Sequence, residues 1–119
     1  MSPRFGPAAR LRSRTEFTAV QADGRRVAGR YLIVLGRLNG LGNDRLGIIA
    51  SKRVGGAVQR NRAKRRVREL FRREVLQTPD SAGLDLVVIV RPDLPRAPFE
   101  MLTSDFQSAL RKVRGRGKG

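Results

Sequence analysis

The side chains in this sequence that could hold a metal or move a proton are ten carboxylates, because histidine and cysteine are both absent. That excludes a histidine general base, a serine–histidine triad, thiolate chemistry, disulfides and cysteine-ligated zinc. A metallonuclease would need several carboxylates converging on one or two magnesium ions. Here Glu16, Asp23, Asp44, Glu69, Glu74, Asp80, Asp85, Asp93, Glu100 and Asp105 are spread singly along the chain, and most sit where a cap, a turn or a helix surface explains them. The expectation is a protein with no catalytic residue and no metal ligand of its own.

Anion binding is the chemistry the sequence offers instead. The stretch RNRAKRRVRE, Arg60 to Glu69, places six cations in ten positions with no glycine or proline to relax the backbone. A solvated helix mixes signs to gain pairs four residues apart. Here Glu69 stands alone among eight cations between Arg60 and Arg73. Repulsion of that density is relieved when a phosphate backbone lies alongside. The preceding GGAV lacks the lysine and serine or threonine of a nucleotide-binding loop, yet backbone amides at a helix start bind phosphate without any special side chain.

The whole chain carries the same bias, with a net charge of +16, a pI near 11.9 and 26 basic residues of which four are lysines. Arginine's planar fork suits phosphate oxygens and stacks on bases, and release of counterions drives such a chain onto a polyanion. An anionic membrane surface would use the charge equally well. Against it, tryptophan is absent and the phenylalanines are scattered, so no helix has the broad apolar face that interfacial binding needs. The run LVVIV, Leu86 to Val90, is too short to span a bilayer. These features point to a cytoplasmic nucleic-acid-binding protein with no membrane and no protein partner in evidence.

The elements that must position this charge are legible from their patterns. At 119 residues the chain makes one domain, 1–119, with residues 1–9 and 115–119 as flexible ends. Ser13 and Glu16 have capping-box spacing ahead of Phe17 and Val20, and ADG stops that short helix at Gly24. RRVAGRYLIVLGRL reads as extended chain with Tyr31, Ile33 and Leu35 on one face and Leu32 and Val34 on the other. NGLGND has the composition of a hairpin loop, which makes RLGIIAS the returning strand. The basic segment is a helix anchored by Ala63, Val67, Leu70 and Phe71, with Arg62, Lys64, Arg65, Arg66, Arg68, Arg72 and Arg73 around the remaining circumference. LDLVVIV is a buried strand, PDLPRAP a loop, and Phe99, Leu102, Phe106, Leu110 and Val113 mark a last amphipathic helix. The fold class is α+β: a small mixed four-stranded sheet with three helices, in the order α-β-β-β-α-β-α.

The run RLGIIASKRVGGAVQRNRAKRRVRE, Arg45 to Glu69, resembles the signature of the bacterial ribonuclease P protein subunit, and RSRTEF, YLIVL and DLVVIVRP fall around it in the expected order. The resemblance implies a basic partner of a catalytic RNA that removes the 5′ leader of precursor tRNA, with hydrolysis and Mg2+ belonging to the RNA. It also implies a left-handed β-α-β crossover. Carried over by position, Lys52, Arg53, Arg60, Asn61, Arg62, Lys64, Arg65, Arg66 and Arg68 would contact RNA. Arg14, Phe17, Tyr31, Ile33 and Leu35 would line a cleft for the single-stranded leader. Two positions that are aromatic in many relatives are here Gln21 and Leu35. The alternative is a ribosomal or other structural RNA-binding protein with no processing role, and a DNA-compacting protein stands third.

Overall fold

The computed structural model describes residues 10–11, 13–75 and 83–115. Helix α1 spans Arg14–Asp23, with Ser13 as its N-cap: the Glu16 amide donates to the Ser13 hydroxyl and the Glu16 carboxylate accepts from the Ser13 amide. The capping box expected from spacing alone is formed. Strands β1 (Arg25–Ala28), β2 (Leu32–Leu38) and β3 (Arg45–Ile49) follow, then α2 (Ala57–Glu74), β4 (Leu84–Val90) and α3 (Phe99–Gly115). Short 3₁₀ turns at Lys52–Val54 and Leu94–Arg96 precede α2 and α3. Of the expected flexible ends, 1–9 and 115–119, all but Gly115 lie outside the described residues, as does most of TPDSAG; Gly115 closes α3.

The sheet order is β1-β2-β4-β3, with β1 and β4 antiparallel to β2 and β3 parallel to β4. The connection through NGLGND is therefore not a hairpin, because β4 inserts between β2 and β3. Its unbroken apolar run needs cover on both faces and pairing on both edges, which a central position alone supplies. The 39–44 loop bridges the start of β4 instead. Asn39 N–H donates to Gly83 O (2.9 Å), its Nδ2 donates to Asp85 (2.6 Å), and the Leu84 amide donates to Asp44 (2.9 Å).

Alternation splits the apolar residues between two layers. Leu32, Val34, Leu46, Leu84, Leu86, Val88 and Val90 pack under α2 and α3, which bury Ala63, Val67, Leu70, Phe71, Leu102, Phe106, Leu110 and Val113. Leu35 and Val87 face the other way, beneath α1, with Val20 and Leu11.

The hand of the crossover follows from these contacts. Leu84 N–H points to Asp44 on the β3 side, whereas Gly83 O and the Arg91 amide engage Asn39 and Tyr31 on the β2 side. Even-numbered residues of β4 thus turn their backbone polar groups toward β3 and their side chains toward α2 and α3. For an L-residue running upward with its side chain toward the viewer, those polar groups point right. Seen from the helical layer, β3 lies right of β4, and the chain moves leftward from β3 through α2 to β4. The crossover is left-handed, against the strong general preference.

Candidate nucleic-acid interface

Helix α2 turns its stripe of Ala63, Val67, Leu70 and Phe71 into the core and leaves its cations on the outside. The chain reaches it through Gly55, whose φ of 137° is a conformation that suits glycine. The helix starts at Gly56 with no side-chain cap, so its first amides point outward beside exposed Lys52 and Arg53.

The cations of α2 form two groups. Arg62 donates from Nε to Pro95 O (2.8 Å), and Arg66, one turn on, donates to Leu94 O (3.0 Å) and Pro95 O (2.9 Å). Arg66 and Arg73 also stand 5.7 and 5.6 Å from the Phe99 ring centroid. Burial holds the Arg66 pKa below the ordinary arginine value, and neighbouring Arg62 adds to the effect. These side chains clamp the 94–96 turn onto α2. Among the described residues Arg60, Asn61, Lys64, Arg65 and Arg68 have no such tie. At 100° per residue they span an arc of about 140° on the other flank. Further along, Arg72 grips Glu69 (2.6 and 3.1 Å) and holds its carboxyl below the usual range.

The second surface lies on the opposite face of the sheet. Helix α1 crosses from β3 toward β1, resting on Leu35, Val87 and the bare backbone of Gly47, where any Cβ would overlap the Phe17 ring. The next row of the sheet is left beside the helix. Its members, Ala28, Ile33, Ile89 and Ile49, stand side by side across all four strands, because Ala28 pairs with Ile33, Ile33 with Ile89, and Ile89 with Ile49. The three isoleucines and Phe17 are half-buried and Ala28 is exposed, so they form an open apolar floor flanked by α1. Arg14 is exposed in the first turn of α1.

Of the residues expected in this cleft, Phe17 and Ile33 line it and Leu35 is buried beneath α1. Tyr31 does not belong to it. The Asp105 carboxylate on α3 accepts from the amides of both Arg30 and Tyr31 (2.9 Å each), which turns the backbone off its pleat. The ring joins the core under α3, its hydroxyl 3.9 Å from Met101 Sδ. Ile49 and Ile89 escaped the sequence reading, since a strand apolar on both faces does not reveal which face stays open. Gly47 was the available signal, as glycine inside a strand marks a close approach.

The position of α1 is fixed by ions. Arg45 makes a two-pronged contact with the buried Asp85 (2.9 and 2.8 Å) and reaches Glu16, the cap residue, with its remaining nitrogen (2.8 Å). The hydrogen bonds to Asp85 raise the Arg45 pKa above its ordinary value. The carboxylates thus serve as ties between elements, and among the described residues no three of them gather where a metal could bind.

Residues 5–114 match the family model described as Ribonuclease P. The chain belongs to the ribonuclease P protein family. The ribonuclease P protein component of Thermotoga maritima is 36% identical over 119 residues, covering 97% of this chain and all of that one. A structure of the RNase P protein of Staphylococcus aureus superimposes with a TM-score of 0.77 at 27% identity, covering 89% of this chain and 95% of that one. The Thermotoga maritima RNase P protein does so with 0.75 at 36% identity, covering 87% and 96%. As a ribonuclease P protein, the chain is an RNA-binding subunit of an endoribonuclease of tRNA processing.

Proposed function

We propose that the whole chain, 1–119, acts as one domain that binds the catalytic RNA of ribonuclease P through the open flank of α2 and the 5′ leader of precursor tRNA through the cleft beside α1. The observation carrying this reading is the arrangement of the two surfaces. The apolar floor of Ile33, Ile89 and Ile49 ends where β3 passes through Lys52 and Arg53 into the basic helix. An unpaired strand offers bases to an apolar floor and phosphates to a basic rim, whereas a folded RNA offers phosphates to a rigid comb of donors. Arg60, Asn61, Lys64, Arg65 and Arg68, with Lys52 and Arg53, are the comb. Arg62 and Arg66 act chiefly by bracing it.

Among the described residues no three carboxylates gather where a metal could bind, and Glu16, Asp44, Glu69 and Asp85 are engaged in structural ties. In this reading Mg2+ and the hydrolytic step belong to the RNA, and the assembly works in the cytoplasm. No described helix is long and apolar enough to cross a membrane.

The test is Phe17→Ala in enzyme reconstituted with its RNA, comparing precursor with mature tRNA. Loss of affinity for the precursor alone is expected, on the order of 1 to 3 kcal/mol if the ring stacks on a base. Equal loss for both would return Phe17 to the core and remove the cleft from the reading.

A further inference from the structure

Tyr31 is the one tyrosine of the chain, and it stands where β2 leaves the regular pleat. Its carbonyl keeps the ladder, accepting from the Arg91 amide (3.0 Å) in series with the pairs Ile33 to Ile89 and Leu35 to Val87. Its amide does not. In a continued antiparallel ladder that N–H would return the bond to Arg91 O; here it donates to Asp105 (2.9 Å), and Arg91 O accepts from Leu94 N–H (3.0 Å) instead. The other Asp105 oxygen accepts from the Arg30 amide (2.9 Å). Gly29 makes room for the carboxylate, since a Cβ there would stand 2.7 Å from both of its oxygens.

This turn of the backbone decides where the ring goes. Alternation carries Ile33 and Leu35 on the α1 face and would carry Tyr31 with them, to the end of the isoleucine floor. With its amide drawn toward α3, Tyr31 packs instead in the core, 7% exposed, with the Arg30 guanidinium 5.1 Å from its centroid and Met101 at its hydroxyl. The row beyond Ile33 therefore receives no ring from β2.

We infer that Asp105 is a specificity-determining positioning residue of the cleft: by capturing the Tyr31 amide it keeps an aromatic ring out, so that single-stranded RNA meets Phe17 and an aliphatic floor with no second ring from β2. This rests on the reading of the cleft as a leader site. Bases stack on an exposed ring with little regard to sequence, so a ring at this position would lengthen the leader contact and tighten it for every precursor. Without Asp105 the Tyr31 N–H loses its acceptor. The ladder bond to Arg91 O then satisfies it, and forming that bond turns the side chain onto the α1 face.

The experiment compares Asp105→Ala, Tyr31→Leu, the double variant and Phe17→Ala in enzyme reconstituted with its RNA, and measures affinity for precursor and mature tRNA. Asp105→Ala is expected to raise the precursor-to-mature affinity ratio on the order of tenfold. Tyr31→Leu alone should leave the ratio unchanged, and adding it to Asp105→Ala should abolish the gain. Gly29→Ala, which displaces the carboxylate without deleting it, should move the ratio the same way and takes the place of Asp105→Ala if that variant does not fold. The full-length protein labelled with fluorotyrosine gives one fluorine NMR signal. A leader oligonucleotide should leave that signal in place in the unaltered chain and shift it in Asp105→Ala. If the ratio stays put in Asp105→Ala and Gly29→Ala while Phe17→Ala lowers it, the inference is overturned, the cleft reading stands and Asp105 is a structural residue. A signal that shifts in the unaltered chain, or a lowered ratio in Tyr31→Leu alone, would overturn it by putting the ring in contact with RNA already. If Phe17→Ala does not lower the ratio, the cleft reading itself falls and takes the inference with it.

Discussion

Replacing Arg66 by alanine should destabilise the free protein, whereas replacing its neighbour Arg65 should not. Arg66 donates to Leu94 O and Pro95 O and lies over the Phe99 ring, while Arg65 is exposed and untied. Hydrogen bonds from a charged donor contribute about 1.5 to 3 kcal/mol, and the ring contact about 0.5 to 1 kcal/mol. Two effects work the other way. Burial and Arg62 already disfavour the Arg66 charge, and after truncation both carbonyls keep a donor, Pro95 O from Arg62 and Leu94 O from Ala97 N–H. A net loss of about 1 to 2 kcal/mol results, which for a domain of this size lowers the melting temperature by roughly 4 to 10 °C. Arg65→Ala should stay within about 0.5 kcal/mol. Thermal melts of the RNA-free proteins by circular dichroism read this directly. Salt titration of binding to the catalytic RNA should rank the pair in reverse: the slope falls by about one unit for Arg65→Ala and hardly changes for Arg66→Ala. Equal melting temperatures, or loss of slope in Arg66→Ala alone, would refute the division of the helix into a bracing and an RNA-facing flank.

Gly47→Ala should cost about 1 to 3 kcal/mol in overpacking and displace the Phe17 ring; denaturant unfolding measures the cost, and the precursor-to-mature affinity ratio should drop as it does for Phe17→Ala. Arg45→Met leaves the buried Asp85 with Asn39 as its remaining side-chain partner and should cost about 3 kcal/mol. Urea unfolding should show part of that recovered in Arg45→Met/Asp85→Leu. Glu69 is held below its ordinary pKa of 4.5 chiefly by hydrogen bonds from Arg72. Its small contribution is therefore complete above pH 4.5 and lost as pH falls through the lower folded value, so Glu69→Gln should flatten the acid end of the melting-temperature profile.

What the sequence disclosed was local. The Ser13 and Glu16 cap, the α2 stripe and the burial of LDLVVIV each depend on residues a few positions apart, and each was formed as expected. The features it concealed depend on partners far along the chain. Nothing in NGLGND signals that β4 will separate the strands on either side of it. Tyr31 alternates with Leu32 in sequence, but an aspartate 74 residues away fixes its face. Arg62 looks like Arg65 on a helical wheel, and the carbonyl of Pro95, 33 residues on, distinguishes them. Charge and period locate a basic helix; its bracing residues emerge only once the turn beneath it is known.

The topology explains why the two surfaces adjoin. Because β3 and β4 are parallel, their carboxyl ends lie together, and both exits are there: Lys52–Val54 into α2 and Leu94–Arg96 into α3. Helix α2 begins at that end, and Arg62 and Arg66 lock it to the second of the exits. Helix α1 is anchored at the opposite ends of the same strands through Glu16, Arg45 and Asp85, and it covers only the rows nearest that anchor. The row left open is necessarily the one next to the exits, which places an apolar floor against a basic rim. Moving α1 by one row of the sheet would close the cleft while leaving the cations of α2 in place. Arg45, which holds α1 through Glu16, therefore governs whether that floor stays open.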